Sequence, residues 1–75
     1  MVFEIKAHWD GEAQVWWAES DDVKGLVAEA DTLEALMREL RELVPELLRT
    51  NHGMSAGEAT IRVIADRTEE LRVAA

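Results

Sequence analysis

The sequence predicts an α+β fold in two layers, with a mainly antiparallel sheet and one helix packed on one face. Three observations predict it: two-residue alternation near the N-terminus, an apolar repeat of three and four residues in the middle, and a β-branched run near the C-terminus. The element order is β-β-β-α-β, with a possible extra C-terminal strand. We expect a single domain over residues 1–75, because 75 residues allow only one. A domain of this size buries about 60% of its unfolded surface, so its stability is marginal.

The first predicted strand, residues 2–9, alternates between apolar and polar side chains. Its apolar members share one face: Phe3, Ile5, Ala7 and Trp9. This pattern is typical of a half-buried strand. The next residues, Asp10, Gly11 and Glu12, are those that tight turns prefer.

Two further strands are predicted at residues 14–20 and 26–30, with turn residues between them. Trp16 and Trp17 are adjacent, so a regular strand points them to opposite faces. Glu19 shares the face of Trp17, and an unpaired carboxylate under a helix would be costly. We therefore expect Trp16 in the core and Trp17 facing outward.

The helix is predicted from the apolar stripe over residues 33–48. Its N-cap is Asp31 or Thr32, and Asp31 would have Glu34 at the capping-box position.

Pro45 interrupts the helical pattern, since proline removes a helical hydrogen bond. It predicts either a kink or a new turn over residues 46–49. Asn51 and Gly53 both suit a left-handed cap at the helix end.

A fourth strand is predicted at residues 60–65, and residues 71–73 could form a weak fifth. If the first three strands form a meander, the helix returns the chain so that the fourth strand runs parallel to the first. A right-handed crossover places it beside the first strand. The helix then covers one face: Phe3, Ile5, Ala7, Trp16, Ala18, Leu26, Ala28, Ile61 and Val63. The opposite face is left open: Glu4, Lys6, His8, Val15, Trp17, Glu19, Val27, Glu29 and Arg62.

Charge and composition narrow the classes of function. The formal net charge is −8, which disfavours direct DNA binding and anionic membranes and favours a basic protein partner, although acidity also serves solubility alone. The chain has no cysteine, which fits a reducing compartment. No signal peptide or membrane-length apolar run is present, so we expect a cytoplasmic protein without membrane contact.

The residue types that carry chemistry do not form a catalytic pattern. The acids Asp10, Glu12, Asp21 and Asp22 fall in turns at opposite ends of the second strand, whereas a two-metal site needs converging acids. His8 and His52 lie far apart in the sequence. We therefore expect no catalytic residue, no metal site and no cofactor.

Residues 15–48 resemble the N-terminal domain of HicB-type antitoxins. The likeness lies in Trp16-Trp17-Ala18, in the turn over residues 21–26, and in the helix start over residues 31–36. The resemblance is closest to an uncharacterised HicB-related family, and it implies a partial ribonuclease-H-like sheet with one helix. The chain departs from the HicB-type pattern at Lys24-Gly25-Leu26, where those antitoxins have Pro-Gly-Cys. Such antitoxins also carry a C-terminal DNA-binding unit, which nothing after Val73 could supply, so DNA binding is not carried over.

The resemblance implies a non-catalytic module that neutralises a small basic ribonuclease toxin. A stand-alone homo-oligomer without a toxin partner and a small-ligand-binding domain remain alternatives. Because one sheet face has no cover, we also expect self-association. The candidate interface, for a partner or for a second copy, consists of Trp17, Val15, Glu19, Val27 and Glu29.

Overall fold

The computed structural model describes residues 1–74. Its elements are β1 (Val2–Asp10), β2 (Val15–Glu19), β3 (Ala28–Ala30), α1 (Leu33–His52) and β4 (Thr60–Asp66). This is the predicted α+β fold in the predicted order. The possible extra strand is absent from the described chain, in which residues 71–73 have no regular structure.

The strands form one sheet in the order β3-β2-β1-β4. β1 pairs antiparallel with β2, and β2 pairs antiparallel with β3. β4 pairs parallel with β1, as the crossover argument predicts. The sheet therefore has two edges of unequal length, the three residues of β3 and the seven residues of β4.

The core lies between α1 and the sheet. Four helical residues at four-residue spacing form its upper side: Leu36, Leu40, Val44 and Leu48. The sheet and the loop before β3 supply the other side: Phe3, Ile5, Ala7, Trp16, Ala18, Val23, Leu26 and Ala28. The Leu36 and Leu40 side chains are fully buried, which fits the predicted stripe.

The helix covers the sheet unevenly, because α1 packs on β2 and β3. Ile61 and Val63 of β4 share the covered face but are only half-buried. One helix is about 10 Å wide, whereas four strands about 4.8 Å apart make a wider layer. Ile61 and Val63 therefore lie on the predicted face of the sheet, but they are less buried than predicted.

Thr32 is the N-cap of α1. Its backbone is extended, and its side-chain oxygen accepts a 3.0 Å hydrogen bond from the Ala35 N–H. The alternative with Asp31 as the cap and Glu34 at the capping-box position is wrong, because Ala35 is the residue that reaches the cap. Glu34 lies in the first turn, where a carboxylate complements the positive end of the helix dipole.

α1 continues through Pro45 to His52, so the predicted new turn over residues 46–49 is wrong. Val44 and Leu48 are buried on either side, while Pro45 faces solvent, and their packing holds the helix together across the missing hydrogen bond. The helix ends at Gly53, whose φ of 66° gives the left-handed cap that glycine favours.

The loop before β3 is fastened to the end of α1. The Asn51 side-chain amide donates to the Lys24 carbonyl at 2.8 Å, and the Lys24 N–H donates to His52 Nε2 at 2.9 Å. Gly25 has a φ of 83°, and a Cβ there would lie 2.9 Å from the Asn51 amide nitrogen. This constraint explains why β3 starts at Ala28 and not at Leu26 as predicted, although Leu26 is buried.

Beyond β4, the chain leaves the body of the molecule. The molecule measures 59 × 20 × 18 Å, and its radius of gyration of 14.8 Å exceeds the value of about 11 Å typical of a compact chain this long. Leu71 and Val73 are 83% and 90% exposed. The final residues described therefore do not fold over the open sheet face. Within residues 1–74, no helix has the length and apolar character needed to span a membrane.

Candidate protein-binding face

The candidate site is the open face, the side of the sheet that points away from α1. Strand register sets four of its residues in one row across all four strands: Glu29, Trp17, His8 and Asp66. The adjacent row contains Glu19, Lys6 and Ile64. An aromatic pair thus lies at the centre of the open face, with a carboxylate at each end of its row.

Trp17 and His8 form the aromatic pair. Their ring centroids are 4.4 Å apart, and the planes are tilted by 31°. Trp17 is 40% exposed, whereas its neighbour Trp16 is 7% exposed beneath the helix. The predicted division of the two tryptophans between the two faces is confirmed. Stacking on His8 limits the orientations of the Trp17 ring, so the exposed aromatic surface is held in place before any partner binds.

His8 is also close to a carboxylate. Its Nε2 atom is shielded from solvent and lies 2.7 Å from Oε2 of Glu19, without the alignment of a hydrogen bond. Both side chains are partly exposed, so this contact is one of modest energy. It positions Glu19 beside the aromatic pair.

Acids outnumber bases on the open face. Its carboxylates are Glu4, Glu19, Glu29 and Asp66, and its cations are Lys6 and Arg62. The loop after β2 adds Asp21 and Asp22 at the same end as Glu4. This face therefore carries part of the negative charge that dominates the whole chain, and it suits a cationic surface.

Two of the turn acids have structural roles. Asp22 accepts a 2.7 Å hydrogen bond from the Glu4 N–H, and Ser20 Oγ donates to the Glu4 carbonyl at 2.5 Å. These side chains continue the β1 ladder where β2 has ended. Asp10 accepts from the N–H groups of Glu12 and Ala13 at 3.0 and 3.2 Å, which closes the first hairpin.

The two histidines do not share a site. His8 lies on the open face, whereas His52 accepts a hydrogen bond at the end of α1 and contacts the Phe3 ring edge-on. Within residues 1–74, no three His, Cys, Asp or Glu side chains gather in a geometry suited to a metal ion.

The structure brings together three of the five predicted interface residues. Trp17 lies opposite Glu29, and Glu19 follows two residues along β2. Val15 is half-buried at the hairpin end, opposite Asp10. Val27 is exposed but precedes β3, so no strand pairing fixes its position.

Sequence reasoning missed several residues of the open face, among them Val2, Ile64 and Asp66. Val2 and Ile64 are exposed apolar residues, and Ile64 lies opposite Lys6. Strand parity could have identified two of them. Arg62 was assigned to this face, and Ile64 and Asp66 follow it at two-residue steps.

Residues 2–75 match the family model described as a domain of unknown function, DUF1902. Among solved structures, the chain is similar to a hypothetical protein, TTHA1013, from the extremely thermophilic bacterium Thermus thermophilus. The two are 45% identical with a TM-score of 0.80, over 95% of this chain and 100% of the other. No curated protein matches the chain significantly.

Proposed function

We propose that this chain, which belongs to the DUF1902 family, is a non-catalytic module that binds a small basic protein through its open face. The proposed partner is a toxin-like ribonuclease, which the module neutralises by covering it, as in the HicB-type antitoxins that its sequence resembles. The observation that carries the proposal is the exposed Trp17 ring, stacked on His8 in a row that has Glu29 at one end and Asp66 at the other.

The composition of the face supports this choice of partner. Tryptophan is enriched among the residues that contribute most to protein interfaces, particularly where surrounding contacts exclude water from it. The carboxylates around Trp17 would steer a cationic partner toward the face and favour it over an acidic competitor.

The rigidity of the face also supports a binding role. Trp17, Glu19 and Glu29 stand on paired strands rather than on loops. Ordering side chains on binding costs free energy, so an aromatic ring already held by stacking loses less on association. A partner would therefore meet a surface close to its bound shape.

Self-association without a toxin is the second candidate function. It is favoured by the exposed apolar side chains of Val2, Trp17 and Ile64, which a copy of the chain could cover. The acids on the face work against a face-to-face homodimer, because equivalent carboxylates would approach one another. We therefore place the basic partner first.

Co-purification tests the proposal directly. The tagged chain is expressed together with the short basic protein encoded by a neighbouring gene, and bound protein and ribonuclease activity are measured. We expect a stable complex with suppressed RNA cleavage, and Trp17→Ala should weaken binding by about 2 kcal/mol or more. A neighbouring ribonuclease that neither co-purifies nor loses activity would contradict the proposal.

A charge-matched pair of variants separates the open face from overall acidity. Glu19→Gln with Glu29→Gln removes two charges from the open face, whereas Glu39→Gln with Glu42→Gln removes two from the exposed side of α1. We expect only the first pair to slow association and weaken the complex. Equal effects would show that net charge, and not this face, recruits the partner.

A further inference from the structure

We propose that two copies of the chain associate through the free edge of β4, and that the segment after β4 of each copy fills a groove on the other. The groove, here called the β4 groove, lies between α1 and the start of β4. Its apolar lining comes from five residues: Leu40, Val44, Leu48, Met54 and Ile61. The segment, here called the tail, comprises residues 67–74. The β4 edge and the β4 groove are separate from the open face, so this dimer does not depend on the proposed partner.

The β4 groove is a consequence of uneven helix coverage. α1 packs over β2 and β3, which leaves a groove beside half-buried Ile61. The helix side chains of Leu40, Val44 and Leu48 are buried at its floor, whereas Pro45, Met54 and Ile61 retain accessible surface. The resulting cavity has a volume of about 440 Å³. Among the described residues, its lining includes Arg41 and Arg49 but no acid, which is unusual in a chain of net charge −8.

The tail has the pattern of a strand without a partner. Arg67 lies over the Trp9 ring at 3.9 Å and pairs with Glu69 at 2.7 Å, so the start of the tail is anchored. Beyond it, Leu71 and Val73 are exposed and lie two positions apart, with Arg72 between them. They have the same parity as Ile61 and Val63, so a tail that continued β4 as a strand would point both toward the helix side of a sheet.

Strand direction places the tail of one copy at the groove of the other. In the described part of the chain, the outer edge of β4 has no neighbouring strand, and its Thr-Ile-Arg-Val-Ile sequence favours strand pairing. In an antiparallel pair of β4 strands centred on Val63, Asp66 of one copy lies opposite Thr60 of the other. The tail then runs along the segment that carries Met54 and Ala59, which borders the β4 groove.

The symmetry and the side-chain directions agree with this pairing. An antiparallel edge pair has a two-fold axis perpendicular to the sheet, which leaves both helices on one side. Leu71 and Val73 therefore face the apolar lining of the β4 groove. Glu69 has the same parity and points to the same side, where the cations Arg41 and Arg49 line the groove. Because Pro45 has no N–H, the Arg41 carbonyl lacks its helical donor and remains free to accept one from the tail.

Disulfide trapping tests the arrangement in the full chain, which contains no cysteine of its own. Val73→Cys and Met54→Cys are purified separately, mixed and oxidised. We expect a cross-linked species of twice the 8.4 kDa chain mass that contains one chain of each kind. Val27→Cys mixed with Met54→Cys is the matched control and should give little product. Equal cross-linking in both mixtures, or none in either, would overturn the proposal.

A chain carrying both Val73→Cys and Met54→Cys distinguishes the source of the tail. An intermolecular bond supports exchange between copies. An intramolecular bond at high dilution would show that each tail fills its own groove, which also overturns the proposal.

Sedimentation provides the second measurement. Leu71→Asp with Val73→Asp should weaken dimer formation about tenfold or more. Ala13→Asp, in the exposed turn between β1 and β2, should leave it unchanged. A monomeric unmodified chain at micromolar concentration would refute the dimer.

Discussion

The two faces of the sheet belong to the same strands but differ in the contacts that hold their side chains in place. On the covered face, Phe3, Ile5 and Trp16 are buried in the core, and packing fixes each side chain. On the open face, Trp17 is fixed by one stacked ring and Glu19 by one close histidine. A side chain on the covered face is therefore needed for the fold, whereas one on the open face contributes less to it.

The difference is sharpest at Trp16 and Trp17. Truncating Trp16 removes a large buried side chain, so Trp16→Ala should lower the free energy of unfolding by about 3–5 kcal/mol. Trp17→Ala removes an exposed ring and its contact with His8, so the loss should be about 1 kcal/mol. Urea denaturation of both variants measures the two values. A folded Trp16→Ala beside an unfolded Trp17→Ala would reverse the assignment of faces.

The helix side of the core gives the next largest effect. Leu36 and Leu40 are fully buried against the sheet, and Leu36→Ala or Leu40→Ala should cost about 2–5 kcal/mol. This is a large share of the roughly 5–15 kcal/mol that stabilises a typical domain. Thermal melting followed by circular dichroism measures the loss. Near-wild-type melting of both variants would mean that the helix buries another side.

Gly25 tests the loop that joins the sheet to the helix end. Its positive φ and the 2.9 Å approach of Asn51 both oppose a side chain, so Gly25→Ala should cost about 1–3 kcal/mol. Gly57→Ala is the matched control, because a Cβ there meets nothing within 4 Å. Similar melting temperatures for the two variants would show that the loop adapts without strain.

The smallest effect is expected at the His8–Glu19 contact on the open face. Glu19→Gln removes the charge from a partly exposed pair, so the free energy of unfolding should change by less than about 1 kcal/mol. Chemical denaturation with and without added salt measures it. If the free energy of unfolding fell by more than about 2 kcal/mol, the contrast between the faces would fail, because Glu19 would then contribute to stability as much as a core residue does.

Much of the fold could be predicted from two periodicities, the two-residue repeat of the strands and the three- and four-residue repeat of the helix. The alternation in β1 and β2 and the stripe in α1 each reflect which side chains leave water, and this determined the layers, the helix face and the two tryptophans. The parallel placement of β4 beside β1 followed from chain geometry.

The errors arose where tertiary contacts override local pattern. The new turn considered after Pro45 is absent, because α1 runs unbroken between the buried Val44 and Leu48 side chains. The start of β3 depended on the hydrogen bond from the Asn51 side chain to the Lys24 carbonyl. The incomplete burial of Ile61 follows from the lateral position of α1, which no residue spacing encodes. The candidate site was predicted in part, since parity identified Trp17 while Ile64 was overlooked on the same face.

The pairing of β1 with β4 also determines when the chain can fold. Val2 lies opposite Thr60, so the central strand of the sheet acquires its second neighbour only from the far end of the sequence. Such non-local contacts close late, because a long loop must be ordered before they stabilise anything. During synthesis, the hairpin of β1 and β2 emerges first, and one edge of β1 stays unpaired until β4 has been made. The sheet is therefore complete only once β4 has been synthesised.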